Sequence, residues 1–392
     1  MKYNILCGSY FDPLGHPIFA NKIAKNTQLI SKNSKVTIYG VKLLGQISIN
    51  NTELIKFEGI HIPYLGKFYS IENRRHLSEK FYLIGKLISF LIRFIVITIF
   101  YIKVYRKIKK QPFIDLEYEP IQEFIGSTFF RDKSKHIMII HNFPKQNKFN
   151  LKSIYKRISI HIYKASLNRF KDRYLGLMNE DSLNNALKMN FQKDKLVLAG
   201  WGYDQDYNNQ PTKEDSENKA TIKLLSFGII RSDKRIKKLI RLFLSMDNSN
   251  IILNVVGRSL DVDIASLNEE IKYSKSKTII NIRDEYIEER EIKPLIRNND
   301  IMVLSHSPVF ESMSGPMLLA IENNKPILCF SSNTVAKLVQ TTKSGMVVDM
   351  DNVNPKEFFN EIKNLSKLRY DQNALKKYQW KEITKRLINL ID

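Results

Sequence analysis

Apolar and polar positions follow two rhythms along the chain: short β-branched and aromatic runs, and stretches where apolar residues recur every three or four positions. The short runs predict strands at 4–8, 36–40, 114–118, 136–141, 174–178 and 196–199. A loop at 8–17 and a helix reaching about residue 29 follow the first of them. The polar stretch 204–218, DQDYNNQPTKEDSEN, reads as a linker. Beyond it, strands are predicted at 223–227, 252–256, 278–281, 301–304, 326–329 and 346–348, with helical patterns between them. This alternation predicts an α/β protein of two doubly wound, Rossmann-like domains. The expected division is a first domain at 1–203, a linker at 204–219 and a second domain at 220–370. Residues 371–392 form a helix or broken helix placed to cross back to the first domain. No repeat of solenoid length is present.

One segment breaks the alternation. Residues 81–102, FYLIGKLISFLIRFIVITIFYI, are long enough to span a bilayer, yet Lys86 and Arg93 fall on one helix face and basic residues crowd both ends. Three readings stand: a helix lying in the membrane interface with snorkelling cations, a buried core helix, or a true span. The interfacial reading is favoured and gives a membrane-associating helix near 72–110, since a span fits poorly inside a sheet-forming domain.

Charge bears on the choice. The chain carries 62 Lys plus Arg against 40 Asp plus Glu, a formal net charge of +22. Residues 67–110 hold 11 bases and 2 acids, and residues 145–173 hold 9 bases and 1 acid, so these stretches account for 17 of the 22. Such a field suits an anionic membrane, nucleic acid or acidic substrates, and also follows from a merely lysine-rich composition. The start, MKYNILCGSYFDP, lacks the long apolar run of a signal peptide. Cys7 and Cys329 form neither a disulfide framework nor a zinc spacing, so a reducing cytosol is expected.

Two segments carry chemistry. In LLSFGIIRSDKRIKKLI, at 224–240, an apolar strand runs into Gly228, a polar turn presents Arg231 and Lys234, and an amphipathic helix follows. Backbone N–H groups at a helix start and two cations three residues apart suit a diphosphate; a solvated basic turn has the same composition. The second segment, 301–329, runs from a strand through the loop HSPVFESMSGP into a helix and then KPILC. Ser314 and Gly315 stand where loop becomes helix. Gly315 permits close backbone approach, and the helix start offers its positive dipole end, while Ser314 alone reads equally as an N-cap.

In this order and spacing, the two segments resemble the C-terminal domain of GT-B glycosyltransferases of the family-4 type. The "G-x-x-R-x-x-K" turn of that group is matched by Gly228, Arg231 and Lys234, and its strand ending in glycine by Asn254-Val-Val-Gly257. An arginine before an acidic stretch is matched by Arg283, Asp284 and Glu285, and the "SG-x-x-x-x-A" loop-helix by Ser314, Gly315 and Ala320. Lys325-Pro326-Ile327 and Ser344-Gly345-Met346-Val347 complete a match that covers about residues 220–365. Three positions depart from the pattern. Of two glutamates spaced eight apart, Glu311 is present and Leu319 replaces the second; Arg235 replaces the glycine that often follows the lysine; Lys337 stands where a glutamate is common.

The resemblance implies a nucleotide-sugar donor held on the second domain by Gly228, Arg231, Lys234, Gly257, Arg283, Glu311, Ser314 and Gly315. It implies two domains facing across a cleft, with the acceptor entering from the first, past Gly15 and His16, and the basic, apolar surface there suits a lipid-linked or oligosaccharide acceptor. Asp12 is a candidate catalytic base or a turn residue before Pro13. Glu119 and His141, the other catalytic candidates, follow predicted strands, where open α/β sheets bind ligands. His141 resembles the family's sugar-contacting histidine.

No metalloprotease, nucleophile-elbow or Walker motif occurs. A cationic clamp is therefore expected to take up the leaving group's charge, with neither metal nor cofactor. The basic, apolar first domain suits an anionic membrane surface, with the protein cytoplasmic and peripheral to the inner face of the plasma membrane, in bacterial-type surface polysaccharide assembly. Nucleic acid is not an expected partner, because no RNA motif or recognition helix accompanies the charge. The alternative is a non-catalytic GT-B relative that binds a membrane or a partner, suggested by Leu319 and Lys337.

Overall fold

The computed structural model describes residues 2–7, 16–41, 55–60, 79–108, 111–116, 120–130, 135–141, 143, 151–204, 221–308, 310, 314–330, 334–370 and 372–392. The chain divides into two compact units: Met1–Gly200 together with Trp380–Asp392, and Trp201–Gln379.

The first unit is built on β1 (Lys2–Cys7), β2 (Lys35–Val41), β3 (Ile55–Ile60), β4 (Phe113–Asp115), β5 (His136–Ile140), β6 (Arg173–Leu177) and β7 (Leu196–Leu198). All pair in parallel in the order β3-β2-β1-β4-β5-β6-β7. A parallel sheet is covered on both faces, which is why β5, HIMII, buries every residue. β3, IKFEGI, escaped the apolar pattern because lysine, glutamate and glycine interrupt it. The strand order reverses between β1 and β4, the point where such sheets bind ligands.

Helices α1 (His16–Ile30) and α2 (Glu79–Ile108) cover this sheet. Within α2, the side chains of Val96, Ile97, Phe100, Tyr101, Val104, Tyr105 and Ile108 are buried with Leu6, Tyr39, Ile60 and Phe113. They form a stripe at three- and four-residue spacing. Tyr101 donates its hydroxyl to Asp115 at 2.6 Å, and Tyr105 donates to Glu123 of α3 (Pro120–Phe130) at 2.5 Å. Over 94–108 this stripe is packed in protein and its hydroxyls end on buried carboxylates, while Ile95, off the stripe, is 56% exposed. Among the described residues, no helix is long and apolar enough to cross a membrane. The side chains of 79–93 lie outside the described residues.

Glu123 also pairs with Arg173 at 3.1 Å, the two side chains being 0% and 1% exposed. Arg173 donates to Ser166 of α4 (Leu151–Arg169) at 2.6 Å and lies 3.9 Å over the Phe170 ring. Beyond β6, α5 (Glu180–Lys188) is capped by the Asn179 side chain, which accepts from the Ser182 N–H.

The second unit repeats the plan with β8 (Ile222–Phe227), β9 (Ile251–Val256), β10 (Ile279–Arg283), β11 (Ile301–Leu304), β12 (Ile327–Phe330) and β13 (Gly345–Val348). Its parallel order is β10-β9-β8-β11-β12-β13. The helices are α6 (Ile236–Ser245), α7 (Ile264–Tyr273), α8 (Glu289–Arg297), α9 (Gly315–Glu322), α10 (Thr334–Thr342) and α11 (Pro355–Ser366). α6 shows why they form: Ile236, Leu239, Ile240 and Phe243 are buried in the core while Lys237, Lys238 and Arg241 point away. The acidic stretch 284–288 is a loop, since α8 starts at Glu289. Reversal of strand order between β8 and β11 sets the turn after β8 beside the loop after β11.

The chain then returns to the first unit as α12 (Trp380–Ile391). Trp380 meets Phe19 of α1 edge-on at 5.0 Å, Arg386 donates to the Leu198 carbonyl at 3.3 Å, and the Tyr3 hydroxyl donates to Asp392 at 2.6 Å. Residues 205–220, which contain most of the expected linker, lie outside the described residues.

Breaking the buried ion pair should be severe. Arg173→Ala strands the Glu123 carboxylate and is expected to destabilise the first unit by about 3–5 kcal/mol in urea unfolding. Replacing both partners, Glu123→Leu with Arg173→Met, should restore most of that loss.

Candidate functional site

The site grows from the end of β8. Gly228 adopts φ +95°, which only glycine takes up readily, and its N–H donates to the Val256 carbonyl at 3.0 Å. Arg231 is extended and leads into a single 3-10 turn, Ser232–Lys234. Its guanidinium grips Asp233 through two hydrogen bonds, Nε–Oδ1 at 3.1 Å and Nη2–Oδ2 at 2.9 Å. Both partners are 38% exposed, so the pair contributes only about 0–1 kcal/mol. Ser232 is fixed from outside the turn, donating through its N–H and hydroxyl to Asp261.

Lys234 is different. Its side chain is buried, and Nζ donates to the Phe227 carbonyl at 3.0 Å. Burial, helped by the charge of Arg231 and opposed by Asp233, pushes its pKa down to about 8. A Cβ placed on Gly228 would lie 3.2 Å from this ammonium and 3.5 Å from the Pro316 ring in the first turn of α9. The two sequence segments therefore converge on Gly228. At the start of α9, Gly315 is exposed, and a Cβ there would meet nothing within 4 Å among the described residues. Ser314, in the cap position, has a buried hydroxyl with no hydrogen-bond partner among the described residues. The first turn of a helix leaves N–H groups without intrahelical acceptors and carries the positive end of the dipole.

The loop after β11 is tied to this turn. Ser305 donates its hydroxyl to the Lys234 carbonyl, and the Ser307 N–H donates to the Asp233 carbonyl at 2.7 Å. His306, between them, is buried and stacks on Phe310 at 4.2 Å. Burial, followed by the charges of Lys234, Arg231 and Arg235, lowers its pKa to about 3, so the imidazole is neutral at physiological pH. Arg235 sits at φ +49°, a conformation that costs a residue with a side chain about 1–2 kcal/mol. Its guanidinium donates to three carbonyls: Ser305 and His306, each at 3.2 Å, and Phe330 at 2.6 Å.

The other expected donor residues are distributed differently. Gly257, at φ +145°, is required by packing: a Cβ would stand 2.4 Å from the Gly228 carbonyl oxygen. Arg283 ends the edge strand β10 and is ion-paired with Glu285 and, at 2.9 Å, with Glu291, two strands away from β8. Glu311 lies outside the described residues, as do Asp12, Gly15, Glu119 and the side chain of His16.

In the first unit, His141 follows β5, and its Nε2 meets the Leu116 carbonyl just beyond β4 at 2.6 Å. A carbonyl only accepts, so Nε2 carries the proton and the tautomer is fixed. His306 and the bonds of Arg235 were not singled out from sequence. The one signal for His306 was its position at the carboxyl end of a predicted strand.

Residues 208–382 match the family described as Glycosyl transferases group 1. Solved structures align over nearly the whole chain at low identity. The Anabaena HepE protein in complex with UDP gives a TM-score of 0.66 at 13% identity, covering 99% of each chain. Sucrose-phosphate synthase from Thermosynechococcus elongatus gives 0.64 at 11%, covering 100% of this chain and 98% of the other. The lipopolysaccharide outer core galactosyltransferase WaaB in its apo form gives 0.62 at 11%, covering 100% and 99%. No curated protein matches by sequence. The structural likenesses carry the fold, a two-domain GT-B arrangement, and the family match covers the second unit, where residues 208–382 match glycosyl transferases group 1.

Proposed function

We propose that the second unit binds the diphosphate of a nucleotide-sugar donor in the space above Gly228 and Gly315, and that the sugar passes to an acceptor held by the first unit. The carrying observation is the convergence of the Lys234 ammonium and the start of α9 on one glycine, with nothing among the described residues within 4 Å of a Cβ position at Gly315. As the sugar–phosphate bond breaks, negative charge grows on the departing nucleoside diphosphate. Lys234 and the N–H groups of α9 stand ready to receive it, and Arg231 exchanges Asp233 for a phosphate oxygen. This division of labour assigns the leaving-group role to cations of the chain itself, with no metal ion. The UDP in the HepE complex supports a uridine nucleotide as the first donor to test.

On the acceptor side, His141 is oriented by its bond to Leu116, and Asp12 or Glu119 supplies the base. The basic stretches 67–110 and 145–173 support an anionic, lipid-linked acceptor at the inner face of the plasma membrane. The likeness to WaaB supports surface glycan assembly as the setting. The reading is tested by nucleotide release from a panel of nucleotide-sugars, with lipid-linked and oligosaccharide acceptors presented in anionic vesicles. Acceptor-dependent release is expected; absence of both release and donor binding across the panel overturns it and favours a non-catalytic relative.

Arg231→Ala and Lys234→Ala should each lower kcat/KM for the donor roughly tenfold to a hundredfold, the loss of a charged hydrogen bond of about 1.5–3 kcal/mol. Wild-type kinetics in both would refute the phosphate site.

The lowered pKa of Lys234 gives a signed pH dependence. The ammonium is the binding form, so donor affinity should be full below pH 8 and fall as pH rises through about 8, with proton uptake on binding above that point. Calorimetry in buffers of different ionisation enthalpy measures the uptake. Lys234→Arg, charged throughout, should abolish it.

A further inference from the structure

We propose that Arg235 is a positioning residue for the phosphate site: its guanidinium fixes the turn that carries Lys234 to the ends of β11 and β12. The inference rests on the reading of Lys234 as a phosphate ligand. It starts from a mismatch between residue and backbone. Position 235 has φ +49°, which favours glycine, yet this chain has an arginine. The side chain compensates for the backbone. Nε and Nη2 reach the carbonyls of Ser305, His306 and Phe330, the terminal groups of the two strands that follow β8 across the sheet.

The bonds run both ways. Ser305 donates back to the Lys234 carbonyl and Ser307 to the Asp233 carbonyl, so the peptide groups on either side of Lys234 are held. On this held backbone the ammonium rests at the Phe227 carbonyl beside Gly228. Arg235 is not itself a phosphate ligand in this arrangement. Three of its five N–H donors are committed to carbonyls, and its effect passes through Lys234. A glycine at 235 accepts the backbone angle without strain but takes the guanidinium from the three carbonyls, leaving the Ser305 and Ser307 bonds to hold the 305–307 loop to the turn.

That contrast is the test. Arg235→Gly relieves the backbone while removing the guanidinium, so the full-length variant should keep a Tm within a few degrees of wild type. Its affinity for inorganic pyrophosphate, a probe independent of nucleobase and sugar, should fall at least tenfold. The donor KM should rise in step, and the pH midpoint near 8 should move as the ammonium leaves its fixed place. Arg235→Lys, whose single ammonium cannot span three carbonyls, should fall between the two. Wild-type pyrophosphate affinity and pH midpoint in Arg235→Gly, with affinity lost in Lys234→Ala, overturn the proposal. If Arg235→Gly does not fold, wild-type values in folded Arg235→Lys overturn it equally. Unchanged affinity in Lys234→Ala instead overturns the phosphate reading itself, and this inference with it.

Discussion

The ends of β8 and β9 meet with no side chain between them, and the geometry of the second unit's site depends on that contact. Gly257 lies so close to Gly228 that even a methyl group would strike its carbonyl oxygen. Because Gly228 also lacks a side chain, Lys234 and Pro316 approach it from two different segments. A cation and a helix start are thus brought to one place by what is missing. Everything else in the site secures that meeting: Asp261 holds Ser232, the 305–307 loop holds the peptide groups around Lys234, and Arg235 ties both to the sheet.

The first unit solves a different problem, the burial of charge. Glu123 and Asp115 are buried at the centre of an apolar layer, and each is met by a tyrosine of α2. The tyrosines are four residues apart, which sets both hydroxyls on one helix face. Arg173 completes the arrangement for Glu123, and in turn holds the buried His136 well below its ordinary pKa, second to burial itself. A helix with such partners is specified by residues distant from it in sequence. Apolar periodicity is the same for a core helix and a membrane-facing one, and for that reason the pattern of 81–102 did not separate the two.

The same distinction between local and distant information explains what was legible elsewhere. The turn at Gly228 and Lys234 and the helix start at Ser314 and Gly315 were legible because each is a strand–turn–helix unit visible in its own spacing, and Lys234 and Pro316 lie close to Gly228. Gly257 was readable as a glycine, but its reason was not, because the atom it avoids belongs to another strand. Arg283 matched a local pattern and proves to sit at the sheet edge in ion pairs. Arg235 looked like a departure from a motif. Its three acceptors lie 70, 71 and 95 residues away, beyond any local pattern. His306 was hidden for a related reason: its neutrality comes from burial and from three cations gathered by the fold.

The return of α12 to the first unit has a consequence for the order in which the protein is made. Trp380 and the residues after it close over α1 and β7, yet they are synthesised after the whole of the second unit. Domains ordinarily fold as units, with the earlier one completed first during synthesis. Here the second unit has all its strands synthesised while the first still lacks a helix that buries Trp380, Ile383, Leu387 and Ile391. Until those residues leave the ribosome, the surface they cover on the nascent first unit is open to water and to chaperones.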